Sequence, residues 1–273
     1  MPELPEVETV RRALAHSLAG RRIVAVEGAE VLLRRPLDVP TLQARLPGRT
    51  LLAPRRRGKF LLLDTDPPGS LLVHLGMTGR LLVADPGRER PRHTHLVVAL
   101  DDGRELRFVD PRRFGLAAWL DPGQEALDPS LAPLGLEPLD PAAPLLLPPL
   151  LHARRAPLKA LLMDQRLVAG VGNIYATEAM WRAGIRPGRA GCRTSPERLR
   201  RLVLAVQEVL EEAISQGGTT IRDFAGPGGD PGAFAVRLEV YGHAGARCPR
   251  CGGTLRTTRL GGRSTVWCPH CQR

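Results

Sequence analysis

Lysine is nearly absent from this chain. Of its 39 basic residues only Lys59 and Lys159 are lysines, and the other 37 are arginines. Genomic base composition accounts for such a bias by itself, which leaves the two lysines as the ones to inspect. Long hydrophobic runs are absent too. The best candidate, Pro144–Leu151 (PLLLPPLL), falls short of the roughly 18 apolar residues of a membrane span and is broken by three prolines. The start lacks a basic region followed by an apolar stretch, so no secretory signal is expected and a cytoplasmic location is. Apart from Cys192, cysteine is missing until residue 248. No internal repeat is visible.

The 273 residues that are present suit two domains, each able to bury a core. A formal charge of +11 and a pI near 10.7 favour a polyanionic partner, nucleic acid before an acidic membrane surface. From Glu3 to Leu18, apolar residues at Leu4, Val7, Val10, Leu14 and Leu18 follow a helical period, and Gly20 can end the helix. Short β-like runs follow, at Ile23–Val26, Phe60–Leu63, Leu71–Leu75 and Leu81–Val83. His95–Leu100 and Glu105–Val109 flank the hairpin signal Asp101-Asp102-Gly103. This texture predicts a β-sandwich behind one leading helix, residues 1–121. Residues 122–149 are proline-rich and read as a linker. Beyond them helices are expected at Leu158–Gln165 and Ile174–Ala183, around the glycine turn 169–172, and from Pro196 to Gln216. Thr194-Ser-Pro-Glu197 is a capping-box pattern for the last of these, and Gly217-Gly218 can stop it. A glycine-rich stretch runs on to Gly232. His93-Thr-His95 has metal-like spacing without a third ligand and reads as surface residues.

The last 26 residues hold Cys248-Pro-Arg-Cys251 and Cys268-Pro-His-Cys271. Two such knuckles at the ends of a hairpin bring four thiolates onto one ion, so one structural Zn2+ is expected and no open position for catalysis. Two disulfides are the other reading, which a cytosolic location disfavours. Cys192 reads as a packing residue. Residues 246–273 carry six arginines and no acid, about +4 after the −2 of a zinc tetrathiolate. A stiff hairpin of that charge suits a phosphate backbone, with Arg263 near its tip.

The first residues, Met-Pro-Glu-Leu-Pro-Glu, put acid at the head of a basic protein. Removal of Met1 would expose Pro2 as a secondary amine with a pKa of about 7.7–8.0, nucleophilic at neutral pH. Glu3 beside it could protonate a sugar oxygen, with Glu6 one turn further along. A plain helix start, with proline and glutamate in the first turn, explains the same residues equally well.

Seven blocks in order resemble the bacterial formamidopyrimidine-DNA glycosylase family. They are PELPEVETVRR at the start, RRGKFLL, HLGMTGRL, DPRRFG, LLMDQRLVAGVGNIYATEA, GGTTIRDF and the terminal zinc finger. The resemblance implies an α+β fold of two domains. An N-terminal helix and β-sandwich would be followed by a helical domain at 150–245 with a helix-two-turn-helix motif and a lesion loop, and by a zinc-finger hairpin at 246–273. It implies a bifunctional glycosylase and abasic-site lyase that excises 8-oxoguanine and formamidopyrimidines in base excision repair. The partner would be double-stranded DNA with the lesion preferably opposite cytosine, and the protein a monomer.

Carried over by these matches, Pro2 is the nucleophile and Glu3 the general acid/base, with Lys59 and Arg263 at the catalytic centre on backbone phosphates. His74 and Asn173 are further phosphate contacts. Met77 and Phe114 fill the gap left by an everted base, and Arg112 reaches the orphaned cytosine. Glu6, Thr219, Thr220 and Arg222 are possible lesion contacts. Ala233 stands where an aromatic is expected in the loop. Lys159 is open between a phosphate contact and a helix-face lysine. Rival readings are an oxidised-pyrimidine glycosylase, a non-catalytic damaged-DNA binder and a zinc-ribbon transcription factor.

Overall fold

The computed structural model describes residues 2–218 and 238–273. Thr219, Thr220, Arg222 and Ala233 of the expected lesion loop lie outside these residues. Two compact units divide the chain, Met1–Ala132 with Gly217–Ala235 and Pro133–Gln216 with Val236–Arg273.

The first unit opens with helix α1 (Leu4–Leu18) and strand β1 (Ile23–Gly28). Helix α2 (Val39–Arg45) and strands β2 (Thr50–Leu51), β3 (Arg55–Arg57), β4 (Phe60–Asp66) and β5 (Gly69–His74) come next. Strands β6 (Arg80–Ala84), β7 (Thr94–Leu100), β8 (Glu105–Val109) and β9 (Leu116–Leu120) complete it. One antiparallel sheet has the order β1-β7-β8-β6; the other has β2-β4-β5-β9, with β3 paired to β4. Alternate residues of each sheet face the shared core: Leu61, Leu63, Leu71 and Val73 from one, Leu96, Val98, Leu106 and Phe108 from the other. Val7, Val10, Leu14 and Leu18 of α1 join the same cluster. Each such buried side chain contributes roughly 1.5–3 kcal/mol, so the helix is held by its apolar stripe. The hairpin at Asp101-Asp102-Gly103 forms as its residues predict, with Gly103 at φ +84°.

Some elements differ from the sequence expectation. Strand β3 is three arginines, and its polarity hides an edge strand that pairs only with β4. Helix α2 is capped by Asp38, whose Oδ1 accepts from the Thr41 N–H at 3.1 Å, in a stretch to which the sequence pattern assigns no element.

In the second unit, helix α3 (Ala143–His152) begins inside the stretch read as a linker. Pro144 falls in the first turn, where no N–H is needed, and Ala143, Leu147 and Leu151 bury one face despite Pro148 and Pro149. Helices α4 (Leu158–Met163), α5 (Asn173–Arg182) and α6 (Pro196–Ser215) follow, then the hairpin of β10 (Arg256–Leu260) and β11 (Arg263–Trp267). Pro196 at the first helical position makes Ser195, not Thr194, the cap of α6; its Oγ accepts from the Arg198 N–H at 3.4 Å. Leu199, Leu202, Val203, Val206 and Leu210 form the stripe that α6 turns toward α3 and α5. Between α4 and α5, the Gln165 amide accepts from Gly170 N–H and donates to the Val171 carbonyl, both at 2.8 Å, bracing the glycine turn. Among the described residues no helix is long and apolar enough to cross a membrane.

Candidate functional site

The acidic head is a capping box. The Glu3 N–H donates to Oε2 of Glu6 at 2.8 Å, and the Glu3 carboxylate accepts from the Glu6 N–H. This is the helix start that the sequence allows, and its bonds hold the Glu3 carboxylate in place one residue after Pro2. Pro2, Glu3 and Glu6 are all buried. Gly218, at φ +85°, lies so close to Glu6 that a Cβ there would sit 3.1 Å from Oε1. Glu8 is different in kind. Burial alone would lift its carboxyl, but hydrogen bonds from Arg11 and Arg12 outweigh it and hold the group below the usual range.

Lys59 sits at the end of the β3–β4 hairpin. Arg57 pairs with Phe60, so Gly58-Lys59 is a two-residue turn, and Gly58 takes φ +55° where a side chain would be strained. His74 ends β5 opposite Phe60, with the two ring centres 4.6 Å apart. Burial pushes its imidazole down to about 3, and the charges of Arg34 and Lys59 push the same way. Its Nδ1 accepts the Gly76 N–H at 2.9 Å, which leaves the ring proton on Nε2. His74 is thus a neutral hydrogen-bond donor, not a cation.

Met77 lies on one loop, 75–79, and Arg112 and Phe114 on another, 110–115, and the two loops touch at Thr78–Arg112 and Gly76–Phe114. The Arg112 guanidinium carbon lies 4.9 Å above the Phe114 ring, and Phe114 is 45% exposed although large and apolar. The residue that organises them is one the sequence reading passed over, Asp110. It is wholly buried, and its Oδ2 accepts from the Gly115 N–H at 2.7 Å while Oδ1 accepts from Thr78 Oγ1 at 2.8 Å. An aspartate before proline and a glycine five residues on were the available signal. His95, read as a surface residue, is buried, and its Nε2 is 2.9 Å from the Asp110 carbonyl.

In the second unit Asn173 opens α5, where unsatisfied N–H groups suit an anion. Its Nδ2 donates to the Ser264 carbonyl at 3.2 Å, next to Arg263 on the zinc hairpin. Arg263 is exposed, immediately after the turn Gly261-Gly262 whose two residues have φ +55° and +74°. Lys159 is 1% exposed and is no helix-face lysine; its Nζ donates to Asn173 Oδ1 at 2.6 Å and Thr265 Oγ1 at 2.7 Å.

The four sulfurs of Cys248, Cys251, Cys268 and Cys271 lie within 4.8 Å of one another. Zinc–sulfur bonds of about 2.3 Å in a tetrahedron require sulfurs roughly 3.8 Å apart, so the cluster fits the ion. The Cys268 N–H is tied to Gln272 Oε1 at 2.8 Å, and Gln272 Nε2 donates to the Ile185 carbonyl, docking the knuckle on its own unit. Cys192, expected in packing, is exposed.

Comparison with known proteins agrees with this architecture. Residues 1–117 match the formamidopyrimidine-DNA glycosylase N-terminal domain, 134–225 its H2TH domain, and 245–273 the zinc finger found in FPG and IleRS. A formamidopyrimidine-DNA glycosylase of Stenotrophomonas maltophilia (strain R551-3) is 49% identical over 274 residues, all of both chains. One of Xanthomonas campestris pv. campestris (strain B100) is 51% identical, again over all of both chains. Among solved structures, the MutM (Fpg) protein of Thermus thermophilus is 42% identical with a TM-score of 0.87, covering 99% of this chain and 98% of that one. The Lactococcus lactis Fpg in complex with DNA containing N7-benzyl-Fapy-dG is 32% identical, with a TM-score of 0.88 and full coverage of both chains. Matches that span every folded part of the chain, at half identity end to end, place it in the formamidopyrimidine-DNA glycosylase family of DNA-repair enzymes.

Proposed function

We propose that this enzyme removes oxidised purines, 8-oxoguanine and formamidopyrimidines, from double-stranded DNA and then cleaves the abasic strand. The observation that carries the reading is the Pro2–Glu3 head, where removal of Met1 would leave a secondary amine next to a carboxylate held by the capping box. The Pro2 nitrogen attacks C1′ of the deoxyribose as the C1′–base bond breaks, its N–H proton passing to the departing base; Glu3 then protonates the ring oxygen as the C1′–O bond opens to the iminium. The resulting iminium acidifies the C2′ proton. Loss of that proton expels the 3′ phosphate by β-elimination, and a second elimination expels the 5′ phosphate, leaving a gap.

Lys59, Arg263 and the N-terminus of α5 at Asn173 would hold backbone phosphates by charge and by N–H groups. His74 would add an Nε2–H donor without charge. Met77 and Phe114 would fill the space of the everted base, and Arg112 would donate to the cytosine left unpaired, which gives the preference for that base. A zinc ion on the four cysteines would brace the hairpin that carries Arg263; four thiolates leave it no open position for reaction. Such an enzyme works as a monomer in the cytoplasm, on the nucleoid.

The test is borohydride trapping of the Met1-free protein on an 8-oxoguanine:cytosine duplex. A covalent protein–DNA band that disappears when an extra residue caps Pro2 is expected. Tight binding with no band, on this duplex and on one containing thymine glycol, would overturn the reading in favour of a non-catalytic damage binder. Stronger cleavage of thymine glycol would move the substrate to oxidised pyrimidines.

A further inference from the structure

We propose that Thr78 and Asp110 are the positioning residues that set opposite-base discrimination, by locking the loop of Met77 to the loop of Arg112 and Phe114. The inference rests on the reading of Arg112 given above. The Thr78 hydroxyl donates to Asp110 Oδ1 at 2.8 Å and accepts the Arg112 N–H at 3.3 Å. The same N–H reaches Asp110 Oδ1 at 3.3 Å, so the Arg112 amide is shared between hydroxyl and carboxylate. Oδ2 of Asp110 takes the Gly115 N–H at 2.7 Å and closes the loop from its other end. One buried carboxylate thus pins both ends of a six-residue loop, and one hydroxyl ties it to the residue after Met77.

Two further features show that the loops fit each other closely. Gly76 has φ +62°, and a Cβ there would lie 2.5 Å from the Phe114 carbonyl carbon. Arg113 has φ +57°, a left-handed conformation that an arginine keeps only when its surroundings hold it. Between them, Arg112 and Phe114 present a stacked cation and ring to one side. A bidentate reader of a base edge discriminates only if its backbone is placed within a fraction of an ångström. A loop free to shift would let Arg112 meet an adenine as readily as a cytosine.

The test uses the full chain and four proteins: wild type, Thr78→Val, Thr78→Ser and Arg112→Ala. The readout is kcat/KM for 8-oxoguanine opposite cytosine divided by that opposite adenine, with thermal midpoints recorded alongside. Valine keeps the shape of threonine and loses the hydroxyl; serine keeps the hydroxyl. Thr78→Val is expected to lower the ratio about tenfold, toward that of Arg112→Ala, because a good base contact is worth that much discrimination. Thr78→Ser is expected to stay within about twofold of wild type on the same grounds. A merely structural loss would lower both rates and leave their ratio alone. If Arg112→Ala collapses the ratio while Thr78→Val keeps it, the proposal is overturned and the role of Arg112 stands. If Arg112→Ala leaves the ratio unchanged, the role of Arg112 fails and the proposal fails with it.

Discussion

The ammonium of Lys159 donates to Oδ1 of Asn173 across 2.6 Å, so one buried lysine fixes the orientation of that amide. With Oδ1 taken, the Asn173 Nδ2 is turned to the Ser264 carbonyl, at the root of the hairpin strand that begins with Arg263. Helix α5 and the zinc hairpin are therefore set by the same cation.

Replacing Lys159 by methionine should cost about 2–3 kcal/mol, the scale of losing charged hydrogen bonds at a buried site. An unfolding free energy lowered by that amount in urea titrations, together with weaker duplex binding, is the expected outcome. An unchanged free energy would mean that the cation is dispensable to the fold.

His74 separates charge from hydrogen bonding. Arg263→Ala should reduce the slope of log affinity against log salt by about 0.9, the effect of one lost phosphate contact. His74→Ala should weaken binding by the same factor at every salt concentration, because a neutral donor releases no counterion. Titrations of fluorescent duplex at four salt concentrations distinguish the two.

The same imidazole affects stability against acid. Its folded value of about 3 lies below its ordinary 6.5, so the unfolded chain takes up a proton that the folded chain refuses. The stabilisation is full above about 6.5 and is lost as pH falls from there toward 3, by up to about 1.4 kcal/mol for each pH unit. Denaturation curves of His74→Gln should show a shallower decline between pH 6.5 and 4 than those of the wild type.

Removal of a zinc ion from the four cysteines would have a local optical signature. Trp181 packs on Cys248, Cys268 and Val266, with the Arg250 guanidinium carbon 4.5 Å from its ring centre. A strong chelator, or Cys251→Ser, should change tryptophan emission and abolish tight duplex binding while β-sheet circular dichroism persists. Retention of tight binding after metal loss would show that the hairpin needs no brace.

Gly76→Ala should destabilise the protein by about 1–3 kcal/mol, from a strained positive φ and a backbone clash combined. Gly87 is the control. It has φ +77° but nothing within 4 Å of a Cβ, so alanine there should cost only about 1 kcal/mol. Equal thermal shifts in the two variants would mean that the loop at Phe114 gives way.

Local patterns were readable without coordinates. The zinc knuckles depend on cysteines three positions apart, α1 on an apolar stripe with a helical period, and α6 on its start and stop residues, so a short window holds each whole signal. Helix α3 was hidden because proline content suggested a linker, whereas its buried face outweighs the missing N–H groups. Strand β3 was hidden because three arginines carry no alternation of polarity.

By itself the sequence determined the four-cysteine knuckle, the leading helix with its Pro2-Glu3 head, and the blocks that mark the family. Tertiary structure alone decided what Asp110 and Lys159 do. Thr78 is 32 positions from Asp110, and Thr265 is 106 from Lys159. A hydrogen bond acts over about 3 Å in space and has no sequence period, so these pairs exist only once the chain has folded.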